Sequence, residues 1–179
     1  MKHFLVVVDM QKDFVDGALG SPEAVAIVPA AAEKIRSFDG EIFVTYDTHF
    51  DDYLTTEEGK HLPVPHCLYG TCGWELDAAI GEVVEEIPHF KMQKYTFGST
   101  SLPHLILEVA DGDDFSIELI GLCTDICVVS NALILKAEFP EAPISVDASC
   151  CAGVTPALHE AALLTMQSCQ ITVTNWARA

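Results

Sequence analysis

The sequence predicts an α/β fold of three layers, with a mostly parallel sheet of six strands lying between two layers of helices. Short apolar runs rich in Val, Ile and Phe recur along the chain, and stretches of helical length and pattern lie between most of them. Ionisable residues stand where the runs end. Strands that are apolar on both faces and alternate with helices are those of a parallel sheet covered on both sides.

The first strand is "FLVVVD" from Phe4, which ends at Asp9. "SPEAVAIVPAAAEKIRSF" then begins as a helix should, with Ser21 as N-cap, Pro22 at the first helical position and Glu23 in the first turn. The second strand, "EIFVTYD" from Glu41, ends at Asp47, and the third run, "VEEIPHFK" from Val84, has Lys94 just beyond it. The fourth, "FSIELIG" from Phe115, leads into "LCTDIC"; the fifth, "APISVD" from Ala142, ends at Asp147. "TPALHEAALLTMQSC" repeats the helix-start device with Thr155 and Pro156, and "QITVT" from Gln170 is the sixth strand. The segment from Thr48 to Gly73 breaks the pattern, being polar, rich in turn residues and long for a connection. Such loops are functional or disordered, and its His, Cys and aromatic content argues for function. No repeat or linker interrupts the chain. Its 179 residues, half of them hydrophobic, suffice for one substantial core, so a single domain spanning 1–179 is expected.

With 27 acidic and 9 basic residues the formal charge is −18, which repels phosphate-rich partners. Neither nucleic acid nor an anionic membrane is an expected partner. The opening "MKHFLVVVDMQKDF" is too short an apolar run for a signal peptide, and no stretch approaches about 20 apolar residues, so a cytoplasmic protein is expected. Seven cysteines, an odd number without an export signal, read as reduced thiols, most of them small buried hydrophobes.

In an open parallel sheet, ligands bind outside the carboxyl ends of the strands. The residues to inspect are therefore Asp9, Asp47, Lys94, the Cys123–Cys127 region and Asp147. A carboxylate following a buried run is desolvated, which raises the pKa of Asp9 unless a cation compensates, and Lys94 could supply that cation. Taken singly, Asp9 reads as a turn residue and Lys94 as a surface base. Cys127 opens the helix-like "CVVSNALILKAEF", where unpaired N–H groups and the macrodipole favour a thiolate and could receive an oxyanion. The spacing of Cys123 and Cys127 is not the Cys-x-x-Cys suited to thiol exchange. Asp47 and His49, two apart in an extended segment, point the same way. His66 could join them if the loop folds back, with His61 as its competitor. Two His and a carboxylate with open positions suit Zn, Fe or Mn.

Five segments in order, "VVVDMQKDF", "YDTHF", "LPVPHCLYGTCGWEL", "KMQKYTFGST" and "IGLCTDICVVSNA", resemble the cysteine hydrolases related to isochorismatase, and within them the nicotinamidases. The resemblance covers essentially the whole chain. It implies a Rossmann-like, isochorismatase-like hydrolase fold and an amidase that converts nicotinamide, or a similar small aromatic amide, to the acid and ammonia through a thioester. Asp9, Lys94 and Cys127 would form the triad, with Asp9 taking the thiol proton and later giving it to ammonia. The resemblance also implies a cis peptide between Leu122 and Cys123, so that the amides of Cys123 and Cys127 form an oxyanion hole. Cys123, where the family often has Ala, would contribute only its backbone. One divalent transition metal is implied, Zn first with Fe or Mn as alternatives, held by Asp47, His49 and His66 and orienting the pyridine nitrogen. Glu58 is the candidate fourth ligand, with Glu57 or water in competition. Where the family often has a Trp before the second metal His, this chain has Pro63. Its nearest indole, Trp74, is expected with Phe14 and Tyr95 to wall the substrate, with Phe97 as a neighbour. The rival readings are hydrolysis of another small amide or N-carbamoyl compound, and a catalytically silent binding protein of the same fold. The expected partners are a small amide substrate and, since the family commonly assembles, further copies of the chain in a homo-oligomer.

Overall fold

The computed structural model describes residues 1–176; the last three residues of the expected domain lie outside that range. Strands β1 (Lys2–Val8), β2 (Glu41–Asp47), β3 (Phe90–Lys94), β4 (Phe115–Leu122), β5 (Ile144–Ala152) and β6 (Thr172–Thr174) form one sheet in the order β3-β2-β1-β4-β5-β6. Every neighbouring pair is parallel. The helices are α1 (Lys12–Val15), α2 (Pro22–Ser37), α3 (Glu57–His61), α4 (Ala78–Glu85), α5 (Leu102–Ala110), α6 (Val129–Glu138) and α7 (Pro156–Ser168). Among the described residues, none is long and apolar enough to cross a membrane.

Strand periodicity divides the apolar residues between two cores. Leu5 and Val7 of β1 join Ile42 and Val44 of β2 beneath α2 and α4, through Val28, Ile35, Ile80 and Val84. Phe4, Val6 and Val8 face the other way, joining Phe43, Leu119 and Val146 beneath α5, α6 and α7. The expected three layers are therefore present. The expected helix starts form too: Ser21 Oγ accepts from Ala24 N at 3.0 Å and Thr155 Oγ1 from Leu158 N at 3.2 Å.

Two strand boundaries differ from expectation. Val84 lies in α4 rather than in the third strand, because Ile80, Val83 and Val84 recur at helical spacing and Asp77 caps the helix through Ala79 N at 3.0 Å. The strand itself starts only at Phe90, beyond Pro88. β5 continues past Asp147 to Ala152, with a shift of register against β4 between Leu119 and Gly121.

From β1 the chain builds outward through β2 and β3, then returns to build the other half from β4, also against β1. The crevice of such a sheet opens at the carboxyl ends of the two central strands. Gly121 lets these ends meet: its φ is +115°, and a Cβ there would lie 2.1 Å from the Val8 carbonyl oxygen. Both the backbone conformation and the space forbid a side chain. Replacing Gly121 by Ala should therefore lower unfolding free energy by about 2–3 kcal/mol. A denaturant midpoint equal to that of the unaltered protein would contradict this close approach.

Candidate active site

Pairing register gathers the polar strand ends. Val8 lies opposite Thr45 in the β1–β2 pair, and Asp47 lies opposite Lys94 in the β2–β3 pair. Lys94, 2% exposed, has its Nζ 2.7 Å from Asp9 Oδ2, 2.9 Å from Asp47 Oδ1 and 3.4 Å from Cys127 Sγ. Thr45 Oγ1 donates to Asp9 Oδ1 at 2.7 Å and accepts from Asp9 N at 3.2 Å. Asp9 takes up a left-handed conformation, φ 48°, which is costly for a residue other than Gly and is held here by these contacts. The three residues expected to act together thus meet, although 85 positions separate Asp9 from Lys94 in the numbering.

Burial pushes the Asp9 carboxyl up, and Lys94 only partly offsets that. Burial works against the Lys94 charge as well, but Asp9, Cys127 and Asp47 together hold its pKa well above the ordinary value. Burial, with the Asp9 charge added, pushes the Cys127 thiol well up despite Lys94. This corrects the expectation of a thiolate stabilised by the start of a helix. Cys127 lies inside a π-helical turn, Thr124–Val128, ahead of α6, which starts only at Val129, and burial of the sulfur disfavours the charged form. Burial thus favours the neutral thiol over the thiolate, and a neighbouring base would help to release its proton. The Leu122–Cys123 peptide that leads into the turn is cis.

The second cluster lies against the first. One ligand atom from each of Asp47, His49, Glu58 and His66 falls within 4.8 Å of the others. His49 Nε2 is 3.0 Å from Asp47 Oδ2 and 3.5 Å from Glu58 Oε1; His66 Nε2 is 3.7 and 3.6 Å from the same two oxygens. His49 Nε2 is nonetheless buried without a well-formed hydrogen bond, so these atoms converge on a common point instead of pairing. His66 Nδ1 donates to the Val64 carbonyl at 2.8 Å, which leaves the Nε2 lone pair facing the cluster. Burial alone would lower the pKa of His49, yet the Asp47 and Glu58 carboxylates raise it to about 9. The same two carboxylates favour positive charge at the point where the four donor atoms converge, and two imidazoles with two carboxylates suit Zn, Fe or Mn. The residues present fit a divalent transition metal.

Between the alternatives left open by the sequence, the geometry brings in Glu58 and His66. Glu57 is exposed beside Lys60, and His61 is exposed with Nδ1 bonded to the Glu57 carbonyl. A cavity of about 650 Å³ opens over both clusters, walled by Phe14, Leu19, Tyr95, Phe97 and Ile126. Phe14 and Tyr95 stand where the substrate wall was expected. Trp74 does not: it is buried outside the cavity, its Nε1 donates to Thr48 Oγ1 at 2.9 Å, and it packs on Tyr46 and Tyr69. Its ring is drawn inward because it can satisfy its one donor there while covering apolar surface. Asp147 also lies away from the cavity, paired at 2.8 Å with Lys34 of α2. All seven cysteines are unpaired.

Three supporting residues were not singled out in the sequence. Gln11 donates to the carbonyls of Asp47 and Trp74 at 2.9 and 2.8 Å and accepts from Asp47 N at 2.7 Å, which fixes the backbone of the shared carboxylate. Asp13 Oδ2 accepts from Cys67 N at 2.8 Å, beside His66. Asn131, buried in α6, donates to the Cys127 carbonyl at 2.8 Å and accepts from Ser99 N at 2.9 Å. The available signal was the polar pair Ser130-Asn131 in the otherwise apolar stretch "VVSNALIL", about one turn beyond Cys127.

A family model described as the Isochorismatase domain matches residues 3–178. A Bacillus subtilis protein described as an uncharacterized isochorismatase family protein, PncA, is 29% identical over 144 residues, covering 74% of this chain and 78% of that one. Among solved structures, nicotinamidase/pyrazinamidase PncA from Bacillus subtilis superimposes with a TM-score of 0.83 at 26% identity, covering 97% of this chain and 99% of the other. The pyrazinamidase of Pyrococcus horikoshii in complex with zinc gives 0.78 at 25% identity, covering 98% and 100%. If the convergence of the four ligand-type atoms reflects a metal site, His49→Ala and His66→Ala should each weaken metal binding at least about tenfold. Elemental analysis after dialysis checks this, and undiminished metal in both variants would contradict it.

Proposed function

This chain belongs to the isochorismatase family, and we propose that within it the protein is a metal-assisted cysteine amidase, hydrolysing nicotinamide or a similar small aromatic amide to the carboxylic acid and ammonia. The observation that carries the reading is the single ammonium of Lys94 lying within 2.7, 2.9 and 3.4 Å of Asp9, Asp47 and Cys127. The likeness to solved nicotinamidase and pyrazinamidase structures supports it.

The substrate ring lies against Phe14 and Tyr95, with its carboxamide over Cys127. Asp9 takes the proton from Sγ as the sulfur attacks the carbonyl carbon, and the backbone N–H groups of Cys123 and Cys127 receive the oxygen that becomes negative. Lys94 offsets the charge gathering on sulfur and carboxylate. When the tetrahedral adduct collapses, the C–N bond breaks, Asp9 returns its proton to the nitrogen, and ammonia leaves a thioester on Cys127. Water then gives a proton to Asp9 and attacks the thioester, and the acid departs as the thiol recovers its hydrogen. A carboxyl whose pKa is pushed up by burial is well matched to carrying a proton in both directions. Asp47, His49, Glu58 and His66 would hold a divalent metal, with zinc the first choice for this donor set, and when bound it would orient the pyridine nitrogen. The proposed setting is the cytoplasm, where seven unpaired cysteines stay reduced.

With Trp74 outside it, the cavity has room for acyl groups other than a pyridine ring. The same chemistry on another small amide or an N-carbamoyl compound is therefore the second reading. Ammonia release should be measured with metal-quantified protein on nicotinamide, pyrazinamide and N-carbamoyl compounds. Cys127→Ala should reduce turnover of the preferred amide at least about a thousandfold, and Asp9→Asn about a hundredfold or more, since an amide cannot accept the thiol proton. Hydrolysis surviving in Cys127→Ala would refute the nucleophile; turnover of N-carbamoyl compounds alone would move the substrate to the second reading.

A further inference from the structure

The turn that bears Cys127 is braced from behind by a corner that takes no part in the proposed chemistry. Thr124, the first residue of the turn, is fully buried, and its Oγ1 lies 2.8 Å from Nδ1 of His159 in the first turn of α7. The next residue, Asp125, accepts from Val154 N at 2.9 Å through Oδ1. Just before Val154 the chain passes Gly153, where a Cβ would lie 2.7 Å from Asp125 Oδ1 and 2.8 Å from His159 N. The β5–α7 corner therefore presses directly on the nucleophile's turn, with no room for a side chain at the point of contact. Burial holds His159 below its ordinary pKa, although the charges of Glu160 and Asp125 pull the other way. Either tautomer of a neutral imidazole can hold the Thr124 hydroxyl, as acceptor or as donor.

We propose that His159 is a positioning residue for the Cys127 nucleophile: through Thr124 it sets the orientation of the Thr124–Val128 turn, and with it the place of Sγ beside Lys94 and Asp9. The inference rests on the reading of Cys127 as the attacking group. Sγ stands only 3.4 Å from Lys94 Nζ, and a turn that rotates slightly would carry the sulfur out of line with both its base and the amide carbon. Misplacement of about 1 Å can cost about a hundredfold in rate. Breaking the link also leaves a buried hydroxyl without its partner, which favours such a rotation.

The test compares His159→Leu, His159→Asn and Thr124→Val in the full chain. For each, kcat and KM are measured on the preferred amide. The alkylation of Cys127 by iodoacetamide is followed separately by peptide mass spectrometry, with exposed Cys72 as internal reference. His159→Leu should lower kcat about 10- to 100-fold with KM within about twofold, and should change Cys127 alkylation while leaving Cys72 as it was. His159→Asn, whose amide reaches the position of Nδ1, should recover most of both. The double variant His159→Leu/Thr124→Val should be no worse than the poorer single one, because both remove the same bond. Wild-type kcat and Cys127 alkylation in His159→Leu, no recovery in His159→Asn, or losses that multiply in the double variant would each overturn the proposal. If His159→Leu fails to fold, the isosteric Thr124→Val decides by the same criteria. If the unaltered protein releases ammonia from no amide, the proposed function fails, and the alkylation comparison still decides the role of His159.

Discussion

A buried ammonium organises this molecule's crevice. Lys94 has almost no contact with solvent, and an ammonium in that position is tolerable only with its charge matched and its hydrogens directed to acceptors. Asp47 supplies the match from the end of the adjacent strand β2 and Asp9 from the end of β1 beyond it, and the Cys127 sulfur approaches from the far side of the switch between sheet halves. Other features follow from that requirement. The β2–β3 register must set Asp47 beside Lys94, Asp9 must turn its backbone into a left-handed conformation, and β4 must come close enough to β1 that only Gly fits at position 121.

Asp47 divides its two oxygens between the clusters. Oδ1 lies on Lys94 and Oδ2 faces His49 and His66, so the charge that steadies the ammonium beside Cys127 also belongs to the candidate metal site. A change of charge at either cluster is felt at the other through one carboxylate. Gln11, which holds the backbone of Asp47 on both sides, fixes the hinge of that arrangement. Tyr53 serves the other end, packing its ring against His49 and His66 and donating to the Leu62 carbonyl at 2.9 Å.

Much of this was legible in the sequence because strand ends are legible. An apolar run that stops at an ionisable residue identifies both the strand and the place where its side chains meet solvent, which is how Asp9, Asp47 and Lys94 could be found. Helix starts at Ser21 and Thr155 were readable from their caps. Other features depend on three-dimensional placement that spacing does not encode. Val84 belongs to a short apolar segment whose pattern suits strand and helix alike, and the Asp77 cap decides it. Trp74 could face the cavity or the core, and the choice depends on Thr48 being in reach of its indole N–H. The state of the Cys127 thiol depends on how deeply the turn is buried and on where α6 starts, and burial there pushes the thiol up. Gln11, Asn131 and His159 reach Asp47, Ser99 and Thr124, partners 32 to 36 positions away, a separation at which a single sequence shows no pattern.

The central claim is that sulfur, carboxylate and ammonium act as one unit to acylate Cys127. Its most direct measurement is rapid acid quenching of the protein mixed with its amide, followed by mass spectrometry of the digested chain. An acyl group equal in mass to the substrate less ammonia should be found on the peptide containing Cys127, and should be missing from Lys94→Met treated alike. An adduct on another residue, or one formed equally in Lys94→Met, would contradict the account.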